Sequence, residues 1–130
     1  MPSAQTKLKR VLLGNAIFST VSGLSLLLFT DPIAAFMNIG MPSILMWLGV
    51  GLVLFAGLVA YHATRPTINP KQVQSIIIQD WAWVAGSAGI LLFQLFNLSF
   101  WGYALVADVA IVVAVFALLQ SRNLKRIASK

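Results

Sequence analysis

The sequence has no cysteine, no glutamate, three acidic residues and one histidine. Without cysteine there are no disulfides, thiolate metal sites or cysteine nucleophiles. The lone histidine, His62, excludes a haem held by two axial histidines of one chain, and its position is that of an interfacial residue. There is no glycine-rich phosphate loop, no metal-ligand cluster and no carboxylate pair at close spacing. No catalytic or metal-binding residue is therefore assigned, no cofactor is implied, and an enzyme is not expected. Charged residues make up 9% of the chain, where a soluble domain carries about a quarter.

Apolar residues take the place of what is missing. They form 59% of the 130 residues, and the mean hydropathy is +0.89. A membrane-spanning helix needs about 20 mostly apolar residues. Four stretches meet that requirement, at about 11–29, 44–63, 74–95 and 100–121. The expectation is a single all-α polytopic membrane domain over residues 1–130, with four transmembrane helices and no separate soluble domain. Lys7-Leu8-Lys9-Arg10 before an apolar run has the form of a signal-peptide start. The run is long and lacks a convincing small-x-small cleavage site, so it reads as an uncleaved first span.

The net charge of +6 is not a nucleic-acid signal, because its placement has a simpler reading. Lys7, Lys9 and Arg10 precede the first span, Arg65 and Lys71 lie between the second and third, and Arg122, Lys125, Arg126 and Lys130 follow the fourth. The intervening loops carry only Asp31. Lysine and arginine concentrate on the cytoplasmic side of membranes, which puts both termini in the cytoplasm. Asp31-Pro32 reads as an N-cap and first turn of a short outer interfacial helix over about 32–39, ended by Gly40, with Phe36 and Met37 dipping into lipid. Asn69-Pro70 reads the same way and can start the third helix early, while the outer loop Gln94 to Ser99 is short and uncharged. The basic tail after Arg122 reads as helical at first and then disordered.

Small residues mark helix-packing faces: Gly49, Gly51 and Gly57 in the second span, Gly86 and Gly89 in the third, and Ala107, Ala110, Ala114 and Ala117 in the fourth. Trp47 and Trp101 anchor outer ends of spans, and Trp81 and Trp83 lie towards inner ends. A weak repeat at a spacing of 65 residues lays Asn15 over Asp80, Ser22 over Ser87 and Leu26-Leu27 over Leu91-Leu92. Each half is then a two-helix hairpin, and two tandem hairpins imply a pseudo-two-fold axis along the membrane normal.

The stretches Gly14-Asn15-Ala16-Ile17-Phe18-Ser19, Gln79-Asp80-Trp81-Ala82-Trp83-Val84-Ala85-Gly86-Ser87 and Phe116-Ala117-Leu118-Leu119-Gln120 resemble a group of small, uncharacterised bacterial four-span proteins. The resemblance implies a bacterial inner membrane and no particular activity. Small multidrug transporters have four spans in a similar length but carry a glutamate in the first, and this chain has none. Dual-topology fluoride channels do not share its one-sided charge.

A charge at the centre of a spanning helix costs about 2.5–3.5 kcal/mol on insertion scales, so an acidic residue there needs a partner or a task. The candidate intramembrane polar site comprises Asn15, Ser22, Gln79, Asp80, Ser87 and Asp108. Asp80 is either a proton or cation relay or a clamp bonded to Asn15 or to a snorkelling Lys9, Arg10 or Arg126. Asp108, roughly 12 Å from the outer end of its span, is a pathway residue or a protonated carboxyl bonded to Ser22, Ser25 or a backbone carbonyl. Two function classes follow. One is a non-catalytic accessory or structural subunit, in contact with the lipid bilayer, that packs as a homo-oligomer or in a larger membrane complex. The other is an oligomeric small transporter or channel for protons, cations or a small solute, using Asp80 and Asp108. The charge placement makes one direct prediction: a reporter fused after Lys130 gives a cytoplasmic signal in a paired phosphatase and fluorescence assay, and a periplasmic signal contradicts the four-span reading.

Overall fold

Local chemistry sets the helix boundaries in a computed structural model that describes residues 3–94 and 97–128. Helix α1 (Ala4–Leu28) is capped by Ser3, whose side chain accepts from the Thr6 N–H at 3.1 Å. Helix α3 (Pro42–Ala63) and helix α4 (Pro70–Phe93) each begin with proline, which has no N–H to leave unsatisfied there. Asn69 caps α4 by accepting from Lys71 N–H at 3.1 Å, as its sequence position implies. Ser99 Oγ accepts from Gly102 N–H at 3.0 Å at the start of α5 (Phe100–Ala128). The four long helices, α1, α3, α4 and α5, are each apolar and long enough to cross a membrane. The expected third span ran to residue 95, which together with 96 in the outer loop lies outside the described residues. The basic tail is helical through Ala128, in keeping with the expected helical start, and the end expected to be disordered falls at residues 129 and 130, outside the described residues.

The short helix α2 (Thr30–Met37) departs from the sequence expectation at both ends. Asp31 sits within its first turn and the N-cap is Phe29, without a side-chain cap. The helix stops at Asn38, which adopts the left-handed conformation (φ 60°, ψ 44°), before Gly40 is reached. Asparagine is one of the few residues that visit this region readily. Met37 turns inward and is buried with Ala34 and Leu45, while Phe36 stays exposed and stacks on Trp101 at 6.3 Å. Ser99 ties α2 to α5: its N–H donates to Met37 O at 2.9 Å and its Oγ to Phe36 O at 2.7 Å.

Helix α1 packs most extensively on α3 and α4 on α5; α1 also lies along α5, whereas the consecutive helices α3 and α4 scarcely touch. A true two-fold relating the 65-residue repeats would make the α1–α5 and α3–α4 contacts equivalent, and they are not. At the basic end, Leu8, Leu12, Val59, Ala63, Ile68, Val73, Ile76 and Ile77 form one buried cluster, with Leu124 and Ile127 packed against it. Gln5 Nε2 and Lys9 Nζ both donate to Pro66 O there, at 3.4 and 3.1 Å. A second cluster around Ala34, Met37 and Leu45 closes the opposite end.

The α1–α3 contact depends on two glycines. A Cβ on Gly23 would lie 2.9 Å from Gly49 O, and a Cβ on Gly49 would lie 2.9 Å from Gly23 O. Gly49 therefore has the packing role its sequence position implies. Gly51, Gly57, Gly86 and Gly89 do not: a Cβ at each meets nothing within 4 Å. Of the alanine seam, Ala117 is buried and Ala107, Ala110 and Ala114 are half-buried. Gly23→Ala and Gly49→Ala should each destabilise the fold by about 1–3 kcal/mol through forced separation of α1 and α3. Gly57→Ala should be neutral or stabilise by up to about 1 kcal/mol, because alanine is the better helix former. Unfolding in mixed micelles, followed by circular dichroism, distinguishes the two classes.

Candidate functional site: a buried polar junction of three helices

Asn15 of α1, Asp80 of α4 and Gln120 of α5 meet inside the bundle, 1%, 4% and 0% exposed. Each stands two to three turns from the basic end of its helix. The 3.6-residue period turns Leu8, Leu12, Asn15 and Ser19 to one side of α1, and Val73, Ile76, Ile77 and Asp80 to one side of α4. The apolar members of both stripes build the basic-end cluster, and the polar members lie just beyond it.

The hydrogen bonds close into a ring. Asn15 Nδ2 donates to Asp80 Oδ2 at 3.0 Å and to Gln120 Oε1 at 2.9 Å. Gln120 Nε2 donates to the same Asp80 Oδ2 at 2.8 Å. Ser19 Oγ donates to Asn15 Oδ1 at 3.3 Å, one turn along α1. One carboxyl oxygen thus collects two carboxamide donors from two other helices. Oδ1 of Asp80 accepts from no side chain among the described residues. The Asn15–Asp80 bond joins the two positions that the 65-residue repeat superimposes.

The remaining predicted site residues have other surroundings. Lys9 donates to a loop carbonyl and does not reach Asp80. Gln79 is exposed and donates to Ser75 Oγ at 3.3 Å, outside the ring. Ser22 and Ser87 face a shared cavity without bonding to each other. Asp108 does not join Asp80, Ser22 or Ser25: it is exposed on the outer surface of α5, and Ser25 Oγ donates instead to Val21 O at 2.7 Å. The four helices therefore do not bring the two aspartates onto one internal wall. Of the tryptophans, Trp47, Trp81 and Trp101 are exposed at 75%, 40% and 61%, as suits residues that contact lipid or a partner. Trp83 turns inward, with its Nε1 covered and lacking a partner among the described residues.

Gln120 is the member that sequence reading misses. It stands two residues before Arg122, near the basic end of an apolar span, where a single carboxamide carries no periodic signal. Only the rotation of α5 reveals that it points inward. The signal available in sequence was a carboxamide at the same distance from the basic end as Asn15 and Asp80. Among the described residues no group of three or more histidine, cysteine, aspartate or glutamate side chains is placed to hold a metal ion. Comparison with models of protein families, with curated proteins and with solved structures finds no match for the chain.

The ring predicts a difference between two substitutions at one position. Asp80→Asn retains an acceptor oxygen for both donors and should change stability by less than about 1 kcal/mol. Asp80→Leu strands the Asn15 and Gln120 donors without their shared acceptor inside the bundle and should cost about 2–4 kcal/mol. Thermal unfolding in detergent checks this, with equal losses for both variants contradicting the ring's role.

Proposed function

We propose that this is a small non-catalytic integral membrane protein of a bacterial inner membrane that packs against copies of itself or against a larger membrane complex. In this reading its four spans form two tandem hairpins with both termini in the cytoplasm. The observation that carries the proposal is Asp108. It is exposed on α5 in line with Trp101, Ile111, Val115 and Leu118, about 10 Å along the helix from Trp101. A short acidic side chain at that depth cannot remain bare to hydrocarbon without a cost of a few kcal/mol. A neighbouring helix that offers a donor to Asp108 removes the cost, and the apolar residues above and below it supply the rest of the contact. The polar junction supports the same reading, since its hydrogen bonds satisfy one another and clamp three helices together.

The alternative is an oligomeric transporter or channel for protons, cations or a small solute. It draws support from Asp80, which lines an internal cavity. With Asp108 on the outer surface, such a path needs a second subunit to bring the two carboxylates onto one route.

The absence of cysteine makes the test selective. Ile111→Cys or Val115→Cys, treated with a short bifunctional maleimide in native membranes, should cross-link to a second copy or to one larger partner. Leu54→Cys, exposed on α3, should cross-link poorly, and adding Asp108→Leu should reduce the α5 cross-link severalfold. A chain that stays uncross-linked at Ile111 and Val115, and purifies alone as a monomer, contradicts the proposal.

A further inference from the structure

Because α3 and α4 scarcely touch, the bundle is open between them. Two adjoining cavities of about 240 and 560 Å³ occupy the gap. Their walls share Ser22, Leu48, Leu52, Trp83 and Val109. Together they fall in the size range of small-molecule sites. The smaller is lined by the rings of Phe18, Trp47, Phe55 and Trp83, and Asp80 also lines it. No lysine, arginine or histidine lines either cavity.

The electrostatics of that pocket are one-sided. Oδ2 of Asp80 accepts from two neutral carboxamides, and among the described residues no lysine, arginine or histidine lines the wall to balance the carboxylate. Trp83 Nε1 is the sole covered side-chain nitrogen or oxygen without a partner among the described residues. Oδ1 of Asp80, which also lacks one, is therefore not sealed off by its surroundings. An acceptor oxygen free of donors, four aromatic rings and an otherwise apolar wall attract a positive centre carried on greasy substituents. The carboxylate supplies the counter-charge and the ring faces attract a cation within about 6 Å of their centres. An anion meets the repulsion of the carboxylate there, with no cationic side chain in the wall to offset it.

We propose that the cleft between α3 and α4 binds a lipophilic organic cation. The positive centre sits at Asp80 and its apolar groups extend into the larger cavity past Trp83. The ligand enters sideways from the hydrocarbon, where its substituents concentrate it. The site is separate from the outer stripe of α5 and does not depend on what covers Asp108.

Tetraphenylphosphonium and tetraphenylborate have the same shape and opposite charge, and their binding to the purified protein is read by quenching of tryptophan fluorescence and by calorimetry. The phosphonium should bind saturably and at least tenfold more tightly than the borate. Asp80→Asn, which keeps the acceptor for Asn15 and Gln120, should weaken phosphonium binding at least tenfold with the unfolding temperature unchanged. Gly51→Leu should do the same by filling the cleft from α3, where a Cβ meets open space; it leaves the carboxyl untouched and carries the test if Asp80→Asn proves unstable. Absence of saturable phosphonium binding, equal affinity for the two ions, or undiminished binding in either folded variant overturns the proposal.

Discussion

A donor buried in hydrocarbon has no water to fall back on, so its acceptor must come from the protein. That constraint governs the junction of Asn15, Asp80 and Gln120. Three side chains from three helices satisfy one another only if α1, α4 and α5 hold one mutual depth and one rotation. A turn of α5 by a single residue would swing Gln120 by about 100° and leave two donors unpaired. Apolar contacts tolerate sliding, because lipid and leucine are equally greasy. The junction does not, so it fixes the register that packing alone leaves loose.

Helix α1 is the hub through which this register reaches the rest. It meets α3 along Gly23 and Gly49, at a distance that admits no side chain. It meets α4 and α5 through Asn15, and α5 again where Phe18 and Phe116 lie 6.0 Å apart. Helix α3 has no polar link to α4 or α5 among the described residues and is held mainly by α1. The gap between α3 and α4 follows from that arrangement. The same asymmetry breaks the two-fold that the repeat implies: α1 and α4 occupy corresponding places in sequence, yet only α1 is central.

Spans and punctuation were legible in the sequence because they depend on local chemistry. Length and hydropathy gave the four long helices, and Asn69 with Pro70 gave the true start of α4. Asn15 and Asp80 stood out because each is polar within an apolar run, and the repeat set them at one depth. What stayed hidden depends on helix rotation. Gln120 and Asp108 both lie in α5: in sequence Asp108 reads as internal and Gln120 has no site role, whereas the fold turns Asp108 outward and Gln120 inward. Glycine content was equally ambiguous, since a glycine facing lipid and one pressed against a neighbouring backbone look alike in sequence. Asn38 ended α2 ahead of Gly40 for a related reason: either residue accepts the left-handed turn, and contact of Met37 with α5 decides which is used.

The two aspartates within the spans pose opposite problems to the bilayer. Asp80 is enclosed and its carboxyl is partly satisfied, so the membrane around it matters less than the contents of the cleft. Asp108 faces outward, so the membrane is its environment unless another surface covers it. A chain of this size that keeps both carboxyls must meet each cost separately, one with hydrogen bonds inside the bundle and the other with a contact outside it. The fold supplies the first through Asn15 and Gln120. The four helices supply nothing for the second, and for that reason the outer stripe of α5 points to association more strongly than any of the small-residue faces. Glycine and alanine permit close approach, whereas an uncovered carboxyl in hydrocarbon drives it.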